Sequence, residues 1–173
     1  RPDRRLRRER SRQAKEDARE EFKDRYERLG VYEATTTVNS GDSAKRVDVV
    51  FVSDGFSYAE REQYQGLVDR TARALLRLDP YRNYVRYINV HRVGIDDTAK
   101  SGSGSTRVRS SASADRGSIL TCDRSAARRY GQLAPDADLI IVVCNIRGVR
   151  ATGGGGVITI DGSGDIGDVV IHE

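Results

Sequence analysis

Residues 46–60 read Arg46-Val47-Asp48-Val49-Val50-Phe51-Val52-Ser53-Asp54-Gly55-Phe56-Ser57-Tyr58-Ala59-Glu60, and the fold turns on them. A run of β-branched and aromatic residues with little polar interruption fits a strand covered on both faces, as in a parallel sheet. Ser53-Asp54-Gly55-Phe56 makes a turn. Ser57 and Glu60 have the spacing of a capping box, in which each side chain satisfies a free N–H at a helix start. Downstream, Tyr64, Leu67, Val68, Thr71, Ala72, Leu75 and Leu76 recur every three or four residues. One helix face therefore packs on the sheet, and Pro80 stops that helix.

Toward the C-terminus, residues 87–93 (Tyr-Ile-Asn-Val-His-Arg-Val) read as a second strand. Residues 96–118 are rich in Ser, Gly, Thr and Arg, which predicts a long surface loop. A short helix is expected over 123–130. Pro135 and Asp136 lead into Leu139-Ile140-Ile141-Val142-Val143, a third buried strand. Residues 153–156 are all glycine, a flexible run before a short fourth strand, Val157-Ile158-Thr159-Ile160. The order β-α-β-(α)-β-β predicts a mixed α/β fold around a mainly parallel sheet, with helices packed on it.

Toward the N-terminus the character changes. Residues 1–30 hold 12 basic and 8 acidic side chains, and the remaining residues hold 18 of each. The net charge of +4 thus belongs to this segment and not to the body. Residues 4–28 are almost wholly charged, with Leu6, Phe22, Tyr26 and Leu29 as apolar anchors and oppositely charged pairs at helical spacing. Residues 1–40 therefore read as a charged helical leader or linker. A polyanion-binding arm is the alternative, since Arg1, Arg4, Arg5, Arg7, Arg8, Arg10 and Arg12 cluster. Gly30 is expected to end the helix, and the ordered body to begin near Val47. The basic excess therefore says nothing about the body, for which a nucleic-acid partner is not expected. No apolar run approaches the roughly 18 residues of a membrane span. No signal peptide is legible, and a chain that opens on Arg1 leaves earlier residues open. Cys122 and Cys144 suit either one disulfide in an exported protein or two buried free thiols.

Three motifs bear on chemistry. The sequence ends Asp168-Val169-Val170-Ile171-His172-Glu173. A zinc peptidase helix needs two histidines four apart and a glutamate directly after the first, and the first two letters of that motif are present. A His-Glu pair alone is a weak signal, helped here by the uncharged run before it. Gly162-Ser163-Gly164-Asp165-Ile166-Gly167 matches the dinucleotide fingerprint and follows an expected strand, which opens a second reading as a nucleotide-binding α/β domain. Against that reading, the fingerprint normally follows the first strand of its domain. A third reading is a non-catalytic binding module on the same fold. His91, on an alternating strand, reads as a packing or surface residue. Tyr81, Tyr84 and Tyr87 read as a cluster sealing the corner between helix and strand.

Taken in order, these pieces resemble the immunoglobulin A peptidase family of zinc metalloproteases. The resemblance runs over residues 41–173 and is carried by residues 46–56, by Asp79-Pro80-Tyr81 with Tyr84 and Tyr87, and by Asn89-Val90-His91-Arg92-Val93. It continues through residues 139–143 with Asn145, the glycine run, and Val169-Val170-Ile171-His172-Glu173. Ser53 departs from the family pattern, which has glycine there. The resemblance implies a zincin-like α/β domain whose C-terminal part lies beyond Glu173. It also implies a single zinc ion with His172 as its first ligand, Glu173 as general base, protein or peptide substrates, and an extracellular setting. In peptidases of this architecture an edge strand binds the substrate backbone by strand addition, and residues 157–160 are the candidate. One imidazole cannot hold zinc usefully, so a polypeptide ending at Glu173 is expected to be inactive.

Overall fold

The computed structural model describes residues 3–113 and 118–163, with side chains from Leu6 onward. The elements run α1 (Asp3–Leu29), β1 (Val31–Val38), β2 (Val47–Asp54), α2 (Arg61–Leu75), β3 (Ile88–Ile95), β4 (Ser111–Ser113), β5 (Ile119–Thr121), α3 (Arg124–Gly131), β6 (Ala137–Cys144), β7 (Thr152–Gly154) and β8 (Val157–Asp161). Six strands form one sheet in the order β1-β3-β2-β6-β8-β7, and β4 pairs with β5 beside it. The four inner strands are parallel, and an antiparallel strand closes each end. The sheet is mixed and mainly parallel, as expected.

β2 lies between β3 and β6, and its residues from Asp48 to Asp54 are buried. On one face Val49, Phe51, Val90, Ile141, Val143 and Ile160 pack against Tyr64, Leu67, Val68 and Leu75 of α2. On the other, Val50, Val52, Val93 and Val142 meet Ala127 and Tyr130 of α3 together with Val108 and Leu120. Two-sided burial explains why β2 and β6 lack the alternation of a half-exposed strand. At the start of α2 the Glu60 carboxylate accepts the Ser57 N–H at 2.9 Å and the Ser57 hydroxyl at 2.8 Å. The apolar stripe on α2 is buried where the periodicity predicted it.

The sheet reaches further toward the N-terminus than the expected start near Val47. β1 escapes a hydrophobic reading because Thr35, Thr36 and Thr37 are exposed and only Val31 is fully covered. It docks through polar side chains. Glu33 accepts from Arg92 of β3 at 2.6 Å and from Gln65 of α2 at 2.6 Å, and Thr36 meets the His91 ring at 3.0 Å. Before β1, the helix α1 ends at Gly30 (φ +66°), whose N–H bonds to the Glu27 carbonyl at 3.0 Å, a left-handed C-terminal cap. Tyr26 and Leu29 of α1 reach the core, while the side chains from Leu6 to Arg25 are exposed. Arg12 pairs with Glu16 at 3.0 Å on this solvated surface. Among the described residues no helix is long and apolar enough to cross a membrane.

Four further expectations are corrected. Residues 96–110 do not form a free surface loop, since Asp97, Ser101, Thr106, Val108 and Ser110 are buried. The glycine run is ordered as the end of β7 and the turn into β8. Consequently residues 157–160 are not an edge strand, because β7 covers Val157, Ile158 and Thr159 on the outer side. Of the three tyrosines, Tyr81 packs on the core, but Tyr84 and Tyr87 are each 56% exposed.

Candidate active-site edge

Asp54, Cys144 and Asp161 stand in register at the carboxyl ends of β2, β6 and β8. The connection through α2 carries the chain from β2 to β3 on one side, and the next crossover carries it back past β2 to β6 on the other. Such a reversal leaves a crevice outside the strand ends, the usual ligand site of an open α/β sheet.

Asp54 organises the near wall. Its side chain is fully buried, and Oδ2 accepts from Ser101 Oγ at 2.8 Å and Ser110 Oγ at 2.5 Å. Its carbonyl accepts from the Asn145 N–H at 2.9 Å. Asp97 fixes the rest of the loop, taking the Arg107 N–H at 2.8 Å and the Ala99 N–H at 3.3 Å. Gly55 has φ +69°, and a Cβ there would stand 2.6 Å from the Ser101 nitrogen. Only glycine lets the 96–110 segment close over the end of β2. Sequence reasoning missed this closure because the partners lie over 40 residues apart and Ser- and Gly-rich segments carry no periodicity.

Between these walls opens a cleft of about 640 Å³, lined by Ser57, Glu60, Lys100, Asn145 and Ile146 among others. Asn145 Nδ2 bridges the Gly55 carbonyl and Glu60 Oε1, each at 3.1 Å. The Ser57 N–H and hydroxyl, joined by Asn145, hold the Glu60 carboxyl below its usual range against the opposing effect of burial. Glu60 is therefore a fixed anion and not a proton carrier near neutral pH. At the far side Asp161 Oδ2 accepts the Gly148 N–H at 2.7 Å, and Oδ1 accepts from the Ser163 N–H and hydroxyl. The Gly162 N–H bonds to the Ile146 carbonyl at 2.8 Å. The chain thus leaves β8 beside the cleft, on its way to residues 164–173.

His172 and Glu173, the predicted metal ligand and general base, lie outside the described residues, as do Gly164, Asp165, Ile166 and Gly167 of the glycine motif. Among the described residues no group of three His, Cys, Asp or Glu side chains could hold a metal ion. A zinc ion would therefore need ligands from elsewhere in the protein. The remaining reactive side chains are committed to structure. His91 is buried, with Nε2 at 2.5 Å from Asp48 Oδ1 and Nδ1 at 3.0 Å from Thr36 Oγ1, the packing role expected of it. Burial would raise the Asp48 carboxyl, but donors from His91, Ser43 and Asn89 outweigh it and hold it low. Both cysteines are free. Burial pushes the Cys144 thiol well up, reinforced by nearby Asp54, and burial raises Cys122 despite a hydroxyl donated by Thr159 at 3.2 Å. Neither thiol is poised as a nucleophile.

An open, mainly parallel α/β sheet with a cleft at its carboxyl edge has the architecture on which many ligand-binding and catalytic domains are built. Residues 36–173 match the family model described as IgA Peptidase M64, and the chain belongs to that peptidase family. The match reaches further toward the N-terminus than the motifs at 41–173 and takes in part of β1. No curated protein matches the chain. Membership makes proteins or peptides the substrate class.

Proposed function

We propose that the chain is the N-terminal part of a zinc-dependent endopeptidase domain of zincin-like architecture. The observation that carries this reading is a family match over residues 36–173, whose span includes the His172-Glu173 pair. It is supported by the cleft at the sheet edge from which the chain proceeds to that pair. In this reading residues 41–173 form the catalytic portion, β1 adds to its sheet, and the charged leader precedes it. His172 is the first metal ligand, and the remaining ligands follow Glu173 in the sequence. Bound zinc supplies Lewis-acid polarisation of water and of the substrate carbonyl. Glu173 takes the proton from the attacking water and returns it to the leaving amine. Glu60 and Asn145 shape the cleft wall and move no proton. Export to the cell exterior fits a peptidase directed at external proteins.

The test uses the full-length protein. Glu173→Ala is expected to lower peptide hydrolysis by at least about 10³-fold while metal analysis still finds one zinc per chain. His172→Ala is expected to lose the zinc. Cleavage at the unaltered rate by Glu173→Ala would refute the role of that residue, and absence of bound zinc in the unaltered protein would refute the metal reading. A polypeptide ending at Glu173 is expected to bind no zinc and to cleave nothing.

A further inference from the structure

Next to the 640 Å³ cleft, on the α2 side of the same sheet edge, lies a second cleft of about 340 Å³. Its lining is Gln63, Leu67 and Arg70 of α2, Arg147 from the segment after β6, and Gly162 with Ser163 after β8. Two arginines thus share a small recess that, among the described residues, has no carboxylate in its lining. Both are exposed, and among the described residues neither makes an ion pair or side-chain hydrogen bond. The carboxylates elsewhere on this edge contrast with them. Asp54 Oδ2 and both oxygens of Asp97 and Asp161 accept from serine hydroxyls or backbone N–H groups, Glu60 is held by Ser57 and Asn145, and Asp54 Oδ1 is buried without a partner. The recess therefore offers unspent donors of one sign, with the Gln63 amide beside them.

From this we infer that Arg70 and Arg147 form a subsite for an acidic side chain of the peptide substrate. This inference rests on the peptidase reading. The guanidinium fork matches a carboxylate with two parallel N–H donors, and the Leu67 floor accommodates the methylenes of a glutamate. Position favours it as well. The Gly162 N–H bonds to the Ile146 carbonyl, and Ile146 lines the larger cleft, so the two recesses adjoin across residues 146–147. An extended peptide advances about 3.3 Å per residue. A substrate lying along the larger cleft therefore reaches the arginines within a few residues.

The experiment separates this inference from the reading beneath it. Full-length protein carrying Glu173→Gln is titrated by fluorescence anisotropy with two labelled hexapeptides, one rich in Glu and its counterpart with Gln at the same positions. The acidic peptide is expected to bind about tenfold more tightly at low salt, with the preference shrinking as ionic strength rises. Arg70→Gln with Arg147→Gln should abolish the preference, and Arg70→Glu with Arg147→Glu should reverse it toward a Lys-containing peptide. Circular dichroism checks that these exposed replacements leave the fold intact. Equal binding of the Glu and Gln peptides, or a preference that survives the double replacement, overturns the subsite. If the unaltered protein cleaves no peptide at all, the peptidase reading fails, while the anisotropy still decides whether the recess selects acid.

Discussion

At the residue scale, the most constrained group outside the cleft is Asp48. Three donors converge on its Oδ1, from His91 at 2.5 Å, Ser43 at 2.9 Å and Asn89 at 3.1 Å, while Oδ2 is buried without a partner. Asp48→Asn removes the charge these donors face and is expected to cost about 3 kcal/mol in urea denaturation. The sign of the pH effect follows from a carboxyl held below its ordinary value. Its contribution is complete above the unfolded value of about 3.9 and is lost as pH falls through the lower folded value. Stability measured from pH 5 to acid should therefore fall more steeply for the unaltered protein than for Asp48→Asn. Parallel curves would mean that the ionised carboxylate contributes nothing. Gly55→Ala is expected to cost about 2–4 kcal/mol, because the left-handed φ and the nearby Ser101 backbone both oppose a side chain. An unshifted denaturation midpoint would mean that the 96–110 segment does not hold this conformation in solution.

At the scale of elements, what the sequence made legible follows from the forces that build each one. β2, β6 and α2 announce themselves because apolar burial drives them, and burial leaves a run or a period. β3 and α3 follow from shorter versions of the same signals. β1 is held by Glu33, Thr36 and their distant partners, and a strand stabilised by side-chain hydrogen bonds leaves no hydrophobic trace. β7 contains two glycines that read as flexibility, yet pairing with β8 orders them. The cleft was illegible for a related reason. Asn145 appeared among the family-like residues, but its link to Glu60 spans 85 positions, and nothing local encodes it. α1 gives a prediction at this scale. Its side chains from Leu6 to Arg25 are exposed, so deleting residues 1–20 from the full-length protein should move the thermal midpoint by less than about 2 °C. Leu29→Ala should lower it by more, since Leu29 packs against the core. A large loss on deleting residues 1–20 would assign α1 a partner surface elsewhere in the protein.

At the scale of the whole molecule, the sheet is organised around β2, whose two neighbours come from well-separated parts of the chain. β3 follows it after one helix, but β6 begins only at Ala137. During synthesis, at roughly 5–20 residues per second, several seconds pass between the emergence of β2 and that of the strand that covers its second edge. Through that interval Val49, Val50, Phe51 and Val52 present an uncapped strand edge of high β-propensity. The order of emergence thus sets a vulnerability. Docking of β3 covers one edge of β2 early, and the other edge stays open until β6 arrives. The residues after β8, which lead to His172 and Glu173, emerge only after all six described strands of the sheet have been made.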